Sequence, residues 1–518
     1  MQLKKLTFGE NFFTYGLYLI FLITTAVTSV GWLQPDEHTR VLEVAHKLVF
    51  GYATLPWELD VDHPIVSFLL GAIHAVPLKI VSFFSDDGLV QAAALRAFTA
   101  VVCSTRFIAL SLILKRLNIS EATRRIYLVL MAFGIFGPLL LLRTSQENWA
   151  TTCLVWALFL LIDQDRKGRD LDAVKPSALW NWSAWRQKSQ SDSNPGFWML
   201  VCFALLLTLG TSFRLQLGVT AVGLSLVALR RFGWRRTLPP LVLGVMIGLL
   251  PLMAIDIMTV KKPLLPAWNY LQYALSNEGD GQIWGTSPWY WYFIQYFTTW
   301  FPPLSPFLLV PLAIGVFSRP VYAFTFVPFL MIHLILAHKE VRYFSPMVPI
   351  LFLAGFDGWN QLATKKFPFL MRLKSWRKTG RWLLGLSSMV GVIAVLLPLN
   401  SSPFIYSKLH DLEVEGQNKD NFTIVRDSQL TVQQFYYKRA AGSPRKIALS
   451  EFLDDFKSAR AVGWYGIIGI KSDVLMTVEG RCELRYLAVP TWFRAVLAWH
   501  PGGVQKSNLS ALVYCPKS

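Results

Sequence analysis

The sequence predicts an all-α polytopic membrane protein of about 11 transmembrane helices, followed by a small α/β domain outside the membrane. Three observations carry this expectation. Hydrophobic residues make up 53% of the 518 residues and charged residues 16%, whereas soluble domains carry about 25% charged residues. Aromatic residues reach 14%, including 20 Trp, and Trp and Tyr concentrate at bilayer interfaces. The 50 Lys and Arg exceed the 32 Asp and Glu, a formal charge of +18. That excess gathers in short stretches between apolar runs, as the positive-inside rule expects, so no nucleic-acid partner is implied. A soluble enzyme, a disordered tail and a disulfide-stapled secreted domain are excluded as readings of the whole chain.

A transmembrane helix needs about 20 largely apolar residues. The first run, 12–33, exceeds the roughly 7–15 residues of a signal-peptide core. It leads into Gln34-Pro35-Asp36-Glu37 without a small-residue cleavage site, and is read as a retained span with its N-terminus in the cytoplasm. Further spans are expected at 90–113, 126–142, 149–162, 197–211, 215–229, 238–258, 304–318, 321–337, 345–358 and 383–399. The linkers 114–125, 163–196, 230–236 and 359–382 carry 4, 6, 4 and 7 Lys and Arg. Setting these inside alternates correctly with the poorly basic loops and leaves the segment from about 400 onward outside. The stretch 365–381, basic with interleaved Phe, Leu and Trp, reads as an amphipathic segment on anionic lipid. The expected division is a membrane domain, 1–399, and an extracytoplasmic domain, 400–518.

Two outer segments stand apart. The loop 33–88 holds eight acids: Asp36, Glu37, Glu43, Glu58, Asp60, Asp62, Asp86 and Asp87. It also contains an apolar stretch, Ile65 to Ile80, read as an interfacial helix, with a further span as the alternative. In the tail, Phe422-Thr423-Ile424-Val425 and Gly466-Ile467-Ile468-Gly469-Ile470 are short and β-branched, which predicts strands. Cys482 and Cys515, alone in the tail, are a plausible disulfide where oxidation persists. Cys103, Cys153 and Cys202 fall in apolar spans, where a thiol packs as a small hydrophobe.

The residues that suit chemistry lie in three places. Asp36 and Glu37 follow a span directly. They read either as a solvated helix start favoured by the dipole or as a base at the lipid interface, where partial desolvation tunes a carboxylate. Glu43, Trp57 and Glu58 share their loop. His338-Lys339-Glu340-Val341-Arg342-Tyr343 interrupts two apolar runs. It is either a wet hairpin with snorkelling side chains or a phosphate clamp, with Lys339 as point charge and Arg342 as bidentate donor. The run Trp284-Gly285-Thr286-Ser287-Pro288-Trp289-Tyr290-Trp291-Tyr292 suits an interfacial aromatic belt or a stacking face for sugar or isoprenoid. One or two of Arg96, Arg106, Arg143 and Arg214 are expected to be buried ion-pair partners. Asp60 and Asp62 have DxD spacing, a weak sign of metal.

These pieces, taken in order, resemble the membrane mannosyltransferases of glycosyltransferase family 22. Pro35-Asp36-Glu37 resembles the family's His-Pro-Asp-Glu element. Glu43, Gly51 and Trp57-Glu58 are similar to its following positions, residues 284–292 to its Tyr-Gly-Thr-His-Pro-Trp-His-Trp-Tyr run, and residues 338–343 to its His-Lys-Glu-Glu-Arg-Phe element. Gln34 replaces the usual His, and Thr39-Arg40 stands where Phe-Gln is common. The resemblance implies the GT-C fold and inverting transfer from a polyprenyl- or dolichyl-phosphate-mannose donor to a glycolipid or lipid-linked glycan. It implies Asp36 as general base and Glu37 as its orienting partner. Lys339, Arg342, His338 and Arg214 would hold donor phosphate, and Glu43, Trp57, Glu58, Trp289 and Trp291 would contact substrate. No cofactor or metal is implied, because the lipid phosphate itself leaves. A flippase or transporter of lipid-linked sugar is the rival reading. Such proteins usually show repeated halves, and none is evident here.

Short loops, the departures and the lack of an evident retrieval signal favour a bacterial inner membrane, with the endoplasmic reticulum membrane as the alternative. In the latter, Asn400, Asn421 and Asn508 head glycosylation sequons. Cysteines introduced at Ser191 and Ser507 are expected to label from opposite sides of the membrane with an impermeant maleimide. Labelling from one side only would overturn the topology.

Overall fold

The computed structural model describes residues 8–32, 34–134, 141–163, 195–275, 285–300, 305–364, 382, 385–389, 391–392, 401–415, 422–426, 433–438, 445–471, 481–488 and 508–516. Helices dominate up to residue 364. They are α1 (Phe8–Thr28), α2 (Glu43–Phe50), α3 (Leu69–Val81), α4 (Gly88–Arg116), α5 (Glu121–Phe133), α6 (Gln146–Asp163), α7 (Phe197–Phe213), α8 (Gly218–Phe232), α9 (Trp234–Val260), α10 (Leu265–Leu275), α11 (Trp291–Gln295), α12 (Ser305–Ser318), α13 (Pro320–Ile335) and α14 (Val348–Thr364). Most of the expected loop 163–196, the stretch 365–381 and most of 383–399 lie outside the described residues.

Local chemistry fixes the helix ends. Asp87 caps α4 by accepting from the Leu89 N–H at 2.7 Å, and Lys115 and Arg116 occupy its last turn, where cations suit the dipole. Among the described residues, α4, α9 and the stretch Leu215–Phe232 are long and apolar enough to cross a membrane. The runs expected as two spans at 304–318 and 321–337 form helices bent by 110° at a short break. Pro320 explains the break: it lacks an N–H and drives the preceding residue out of the helical region, and Arg319 is extended, with φ −125°. The Arg319 guanidinium pairs with the buried Asp357 of α14, Nη2 to Oδ1 being 3.1 Å. In the first loop the interfacial segment forms α3, 13 residues long and too short to cross a bilayer core.

Tight packing brings α12 onto α14. A Cβ added to Gly315 would collide with the Ala354 carbonyl, and one on Gly358 with the Pro311 carbonyl. Small residues permit such backbone approach between membrane helices.

Beyond residue 400 the chain builds α15 (Ser402–Val414), β1 (Phe422–Arg426), α16 (Gln434–Tyr437), β2 (Arg445–Ile447), α17 (Leu449–Lys457), β3 (Gly463–Lys471), β4 (Glu483–Leu487) and β5 (Asn508–Cys515). The strands form one sheet in the order β2-β1-β3-β5-β4. β1 runs parallel to β2 and β3, and β5 antiparallel to β3 and β4. A disulfide joins Cys482 to Cys515. One face of the sheet buries Val425, Ile467 and Val513 with Phe452 of α17. The other buries Ile424, Ile468 and Leu512 with Ile405 and Leu409 of α15, and this cluster continues into Trp32, Leu42, Ala45 and Leu95. The sheet is therefore anchored to the first loop by a shared apolar core.

Gly315→Leu should lower stability by about 1–3 kcal/mol, the usual cost of forcing bulk into a packed site. Thermal unfolding in detergent checks this against Gly16→Ala, where an added Cβ meets nothing within 4 Å.

Candidate active site

Asp36 immediately precedes a π-helical turn, Glu37–Leu42, that runs into α2. α2 stops at Gly51, whose φ of +88° is left-handed and suits glycine. Asp36 and Arg40 stand one helical turn apart, so their side chains meet: Asp36 Oδ2 lies 2.9 Å from Arg40 Nη1. Arg40 Nη2 reaches Glu58 Oε1 at 2.9 Å, from the 3-10 turn Trp57–Leu59. Arg342, on the 3-10 turn Val341–Met347, pairs with Asp36 across 306 positions of the chain. Its Nη2 also donates to Glu340 Oε1 at 3.1 Å. The same oxygen lies 3.1 Å from His338 Nε2 and accepts from the Tyr343 hydroxyl at 3.3 Å. Charges thus alternate along one row, Glu58, Arg40, Asp36, Arg342, Glu340, which ends on the His338 imidazole.

A cavity of about 390 Å³ lies beside this row. It runs between α7, α8 and α9, from Ala204, Ser225 and Leu241 to Arg214, Gln216 and Leu264, and its lining is mainly apolar. Two guanidinium groups, Arg40 and Arg214, contribute to its wall. Arg214 follows the last turn of α7, lies 3.2 Å from Glu147 Oε1 and covers the Tyr343 ring at 4.9 Å.

The remaining sequence-expected residues fall around this centre. Glu37 is buried: its Oε1 accepts from the Gln34 N–H at 3.1 Å, and Oε2 lies 3.7 Å from Arg143. Arg143 and Arg214 thus face carboxylates, whereas Arg96 donates to the Ala26 carbonyl and Arg106 to the Asn148 side chain. The Lys339 ammonium is turned onto the carbonyls of Leu336 and Ser287. It braces the hairpin against the aromatic run and does not line the cavity. Trp57 is half exposed beside Tyr273, ring centres 5.8 Å apart. Trp289 is exposed, and Trp291 packs against the main core. Asp60 and Asp62 are exposed on the loop; Asp60 Oδ1 accepts from the Asp62 N–H at 3.2 Å.

Glu43 is fully buried and acts as a junction. His38 Nε2 lies 2.9 Å from its Oε1, which also accepts from the Phe435 N–H at 3.1 Å. The His38 ring is stacked between Trp32, at 4.9 Å, and Tyr436, at 5.4 Å. The segment 433–438 of the tail therefore presses directly on the turn that carries Asp36 and Arg40.

Electrostatics set the state of the row. Burial would raise the Asp36 carboxyl, but the Arg40, Arg342 and Arg214 guanidiniums outweigh it and hold the group below the usual carboxylate range. Burial likewise opposes ionisation of Glu340, and Arg342 and His338 reverse that. Both carboxylates are charged at neutral pH.

Two contributors went unread in the sequence as functional residues. Arg40 had a signal, its i,i+4 spacing from Asp36. Phe435, which donates to Glu43 through its backbone, had none.

The family model of the Alg9-like mannosyltransferases matches residues 13–437. The chain belongs to that family. Among relatives of this mannosyltransferase-family chain, Mannosyltransferase APTG1 of Arabidopsis thaliana is 26% identical over 347 residues, 66% of this chain and 57% of that protein. GPI alpha-1,2-mannosyltransferase 3 of Bos taurus is 23% identical over 408 residues, 74% of this chain and 63% of that protein. Alpha-1,2-mannosyltransferase algn-9 of Caenorhabditis elegans is 24% identical over 382 residues, covering 68% and 58%. The chain thus spans less than two thirds of the length of each of these relatives. Among solved structures, ArnT from Cupriavidus metallidurans in the apo state aligns over 98% of both chains with a TM-score of 0.54 and 11% identity. The same enzyme bound to undecaprenyl phosphate gives 0.51 and 10%, also over 98% of both. This likeness shows the GT-C fold; the family and the apolar helices make the chain a multi-pass membrane protein. The relatives named come from a plant, a mammal and a nematode, and lend no support to the bacterial membrane favoured from sequence.

The pH dependence of the row follows from sign. Asp36 and Glu340 have depressed folded pKa values. Their stabilisation is therefore complete above the unfolded values, about 3.9 and 4.3, and is lost as pH falls through the lower folded ones. Thermal midpoints measured from pH 6 to pH 3 should fall on the acid side, and fall less steeply in Asp36→Asn.

Proposed function

We propose that this chain is an inverting α-mannosyltransferase that takes mannose from a polyprenyl- or dolichyl-phosphate-mannose donor. The acceptor is a glycolipid or lipid-linked glycan at the non-cytoplasmic face. The observation that carries the reading is the apolar cavity whose wall includes Arg40 and Arg214, with Arg40 paired to Asp36. A phosphate on an isoprenoid chain is the ligand that combines an apolar tail with an anionic head. The structural neighbour solved with undecaprenyl phosphate holds a ligand of that class.

In this reading the isoprenoid lies along α7, α8 and α9, and its phosphate meets Arg214 and Arg40, with Arg342 across Asp36. The acceptor hydroxyl attacks C1 of the mannose on the face opposite the phosphate. The new C1–O bond forms as the C1–O bond to phosphate breaks, and that electron pair leaves on the phosphate. The hydroxyl proton passes to Asp36, a partly exposed carboxylate paired to Arg40 and Arg342. The cations stabilise the charge that develops on the leaving group. Glu37 fixes the loop through Gln34 and Arg143, and Glu43 fixes it through His38 and the tail. Trp57 and Glu58 flank the acceptor side, with Trp289 and Trp291 on the lipid side. Lys339 and His338 shape the hairpin that presents Arg342. In this reading the chain has about 11 spans, and this face and the region 400–518 lie outside the cytoplasm. The eukaryotic relatives weigh toward the endoplasmic reticulum membrane.

Asp36→Asn keeps shape and removes basicity, so single-turnover transfer from polyprenyl-phosphate mannose should drop by about 10²–10⁴ without weaker donor binding. Arg214→Ala should weaken donor binding itself by about 10- to 100-fold, the worth of one charge-assisted contact. Near-normal turnover in folded Asp36→Asn would remove it as the base. Transport of labelled lipid by the purified protein, with no glycosyl product, would favour a flippase.

A further inference from the structure

Arg40 has two neighbours that ordinarily belong to different tasks. It is a wall residue of the apolar cavity and, through Nη1, the partner of Asp36 at 2.9 Å. Its Nη2 is committed to Glu58. Its Nε is buried and makes no hydrogen bond among the described residues. Guanidinium offers five N–H donors in a fixed fork, so one arm can serve Asp36 while another is presented to an anion. Arg342, the other partner of Asp36, has no such second outlook: it is shared with Glu340 and does not line the cavity.

We infer that Arg40 is shared between Asp36 and the phosphate of a lipid ligand in the cavity, so that a loaded donor frees the base. This rests on the donor reading above and adds coupling to it. In the resting protein two guanidiniums hold the Asp36 carboxylate, and such a carboxylate is a poor proton acceptor. A phosphate engaging Arg40 Nε, and competing for Nη1, dilutes one of those contacts and adds negative charge nearby. Both changes raise the proton affinity of Asp36. The other charged groups that act on Asp36 are Arg342 and Arg214, which oppose protonation, and Glu340, whose charge interacts unfavourably with it. Glu37 is engaged by Arg143, and Glu58 acts through Arg40. The consequence is order: the acceptor hydroxyl is deprotonated only when a donor is in place, and departure of the lipid phosphate restores the locked pair.

Reciprocity supplies a test that does not use activity. If phosphate weakens the hold of Arg40 on Asp36, then removing the Asp36 charge must strengthen the hold of Arg40 on phosphate. The probe is decaprenyl phosphate, without sugar, titrated into the full-length chain in nanodiscs. Four proteins are compared: wild type, Asp36→Asn, Arg40→Gln and the double variant, with Arg40→Lys as a charge-keeping folding control. Asp36→Asn should bind about tenfold more tightly than wild type, a coupling typical of groups in contact. That gain should vanish in the Arg40→Gln background. Equal tightening with and without Arg40 would mean simple repulsion between Asp36 and phosphate, and would overturn the sharing while leaving the donor reading intact. No tightening in Asp36→Asn would overturn it too. Failure of decaprenyl phosphate to bind any of the folded variants would remove the donor reading and this inference together.

Discussion

Asp36 and Arg342 are 306 positions apart in the chain and share an ion pair. Around it the protein must keep charged groups largely out of water, which is costly unless each is matched. The solution is a row of alternating sign, from Glu58 to Glu340, in which every interior member serves two partners. Cutting such a row at Asp36 leaves two guanidiniums facing each other across an empty place. Cutting it at Arg342 leaves Asp36 to Arg40 and Glu340 to His338 and Tyr343, with no cation between the two carboxylates. The first loop, the cavity wall and the hairpin at 338–343 hold their relative positions because the row is complete.

The row has a counterpart made of rings. His38 sits between Trp32 and Tyr436, and Glu43 joins its imidazole to the backbone of Phe435. One side of the π-helical turn is thus fixed by packing against the tail, and the other by charge against the hairpin. A turn with i→i+5 bonds is intrinsically less favourable than an α-helix and often marks a functional site. Here it is held from both sides, and it carries Arg40.

Much of the helical architecture could be read from apolar runs, and β1 and β3 from their β-branched stretches, because both signals are local. The family pattern, too, was legible: Asp36 and Arg342 lie in separate motifs that the structure brings into contact. The sequence was less informative where distance along the chain mattered. Nothing in Gln433–Lys438 marks it as the partner of Glu43, since a backbone N–H is common to almost every residue. Lys339 and Arg342 look equivalent in a basic hairpin, yet one turns onto carbonyls and the other onto a carboxylate. The helical break at Arg319 was signalled by Pro320, but periodicity gives no angle between the helices it separates. The spacing of Arg40 from Asp36 is legible in the sequence, but Arg40 stands where the family pattern commonly has Gln, so the pattern does not single it out.

The bond from Phe435 to Glu43 closes a separation of 392 residues. A ribosome delivers Glu43 early and Phe435 late, so for most of its synthesis the chain carries an acidic loop whose central carboxylate has no tail to meet. The geometry therefore makes the π-helical turn dependent on late synthesis: until Phe435 has been made, the chain lacks the contact that holds one side of that turn.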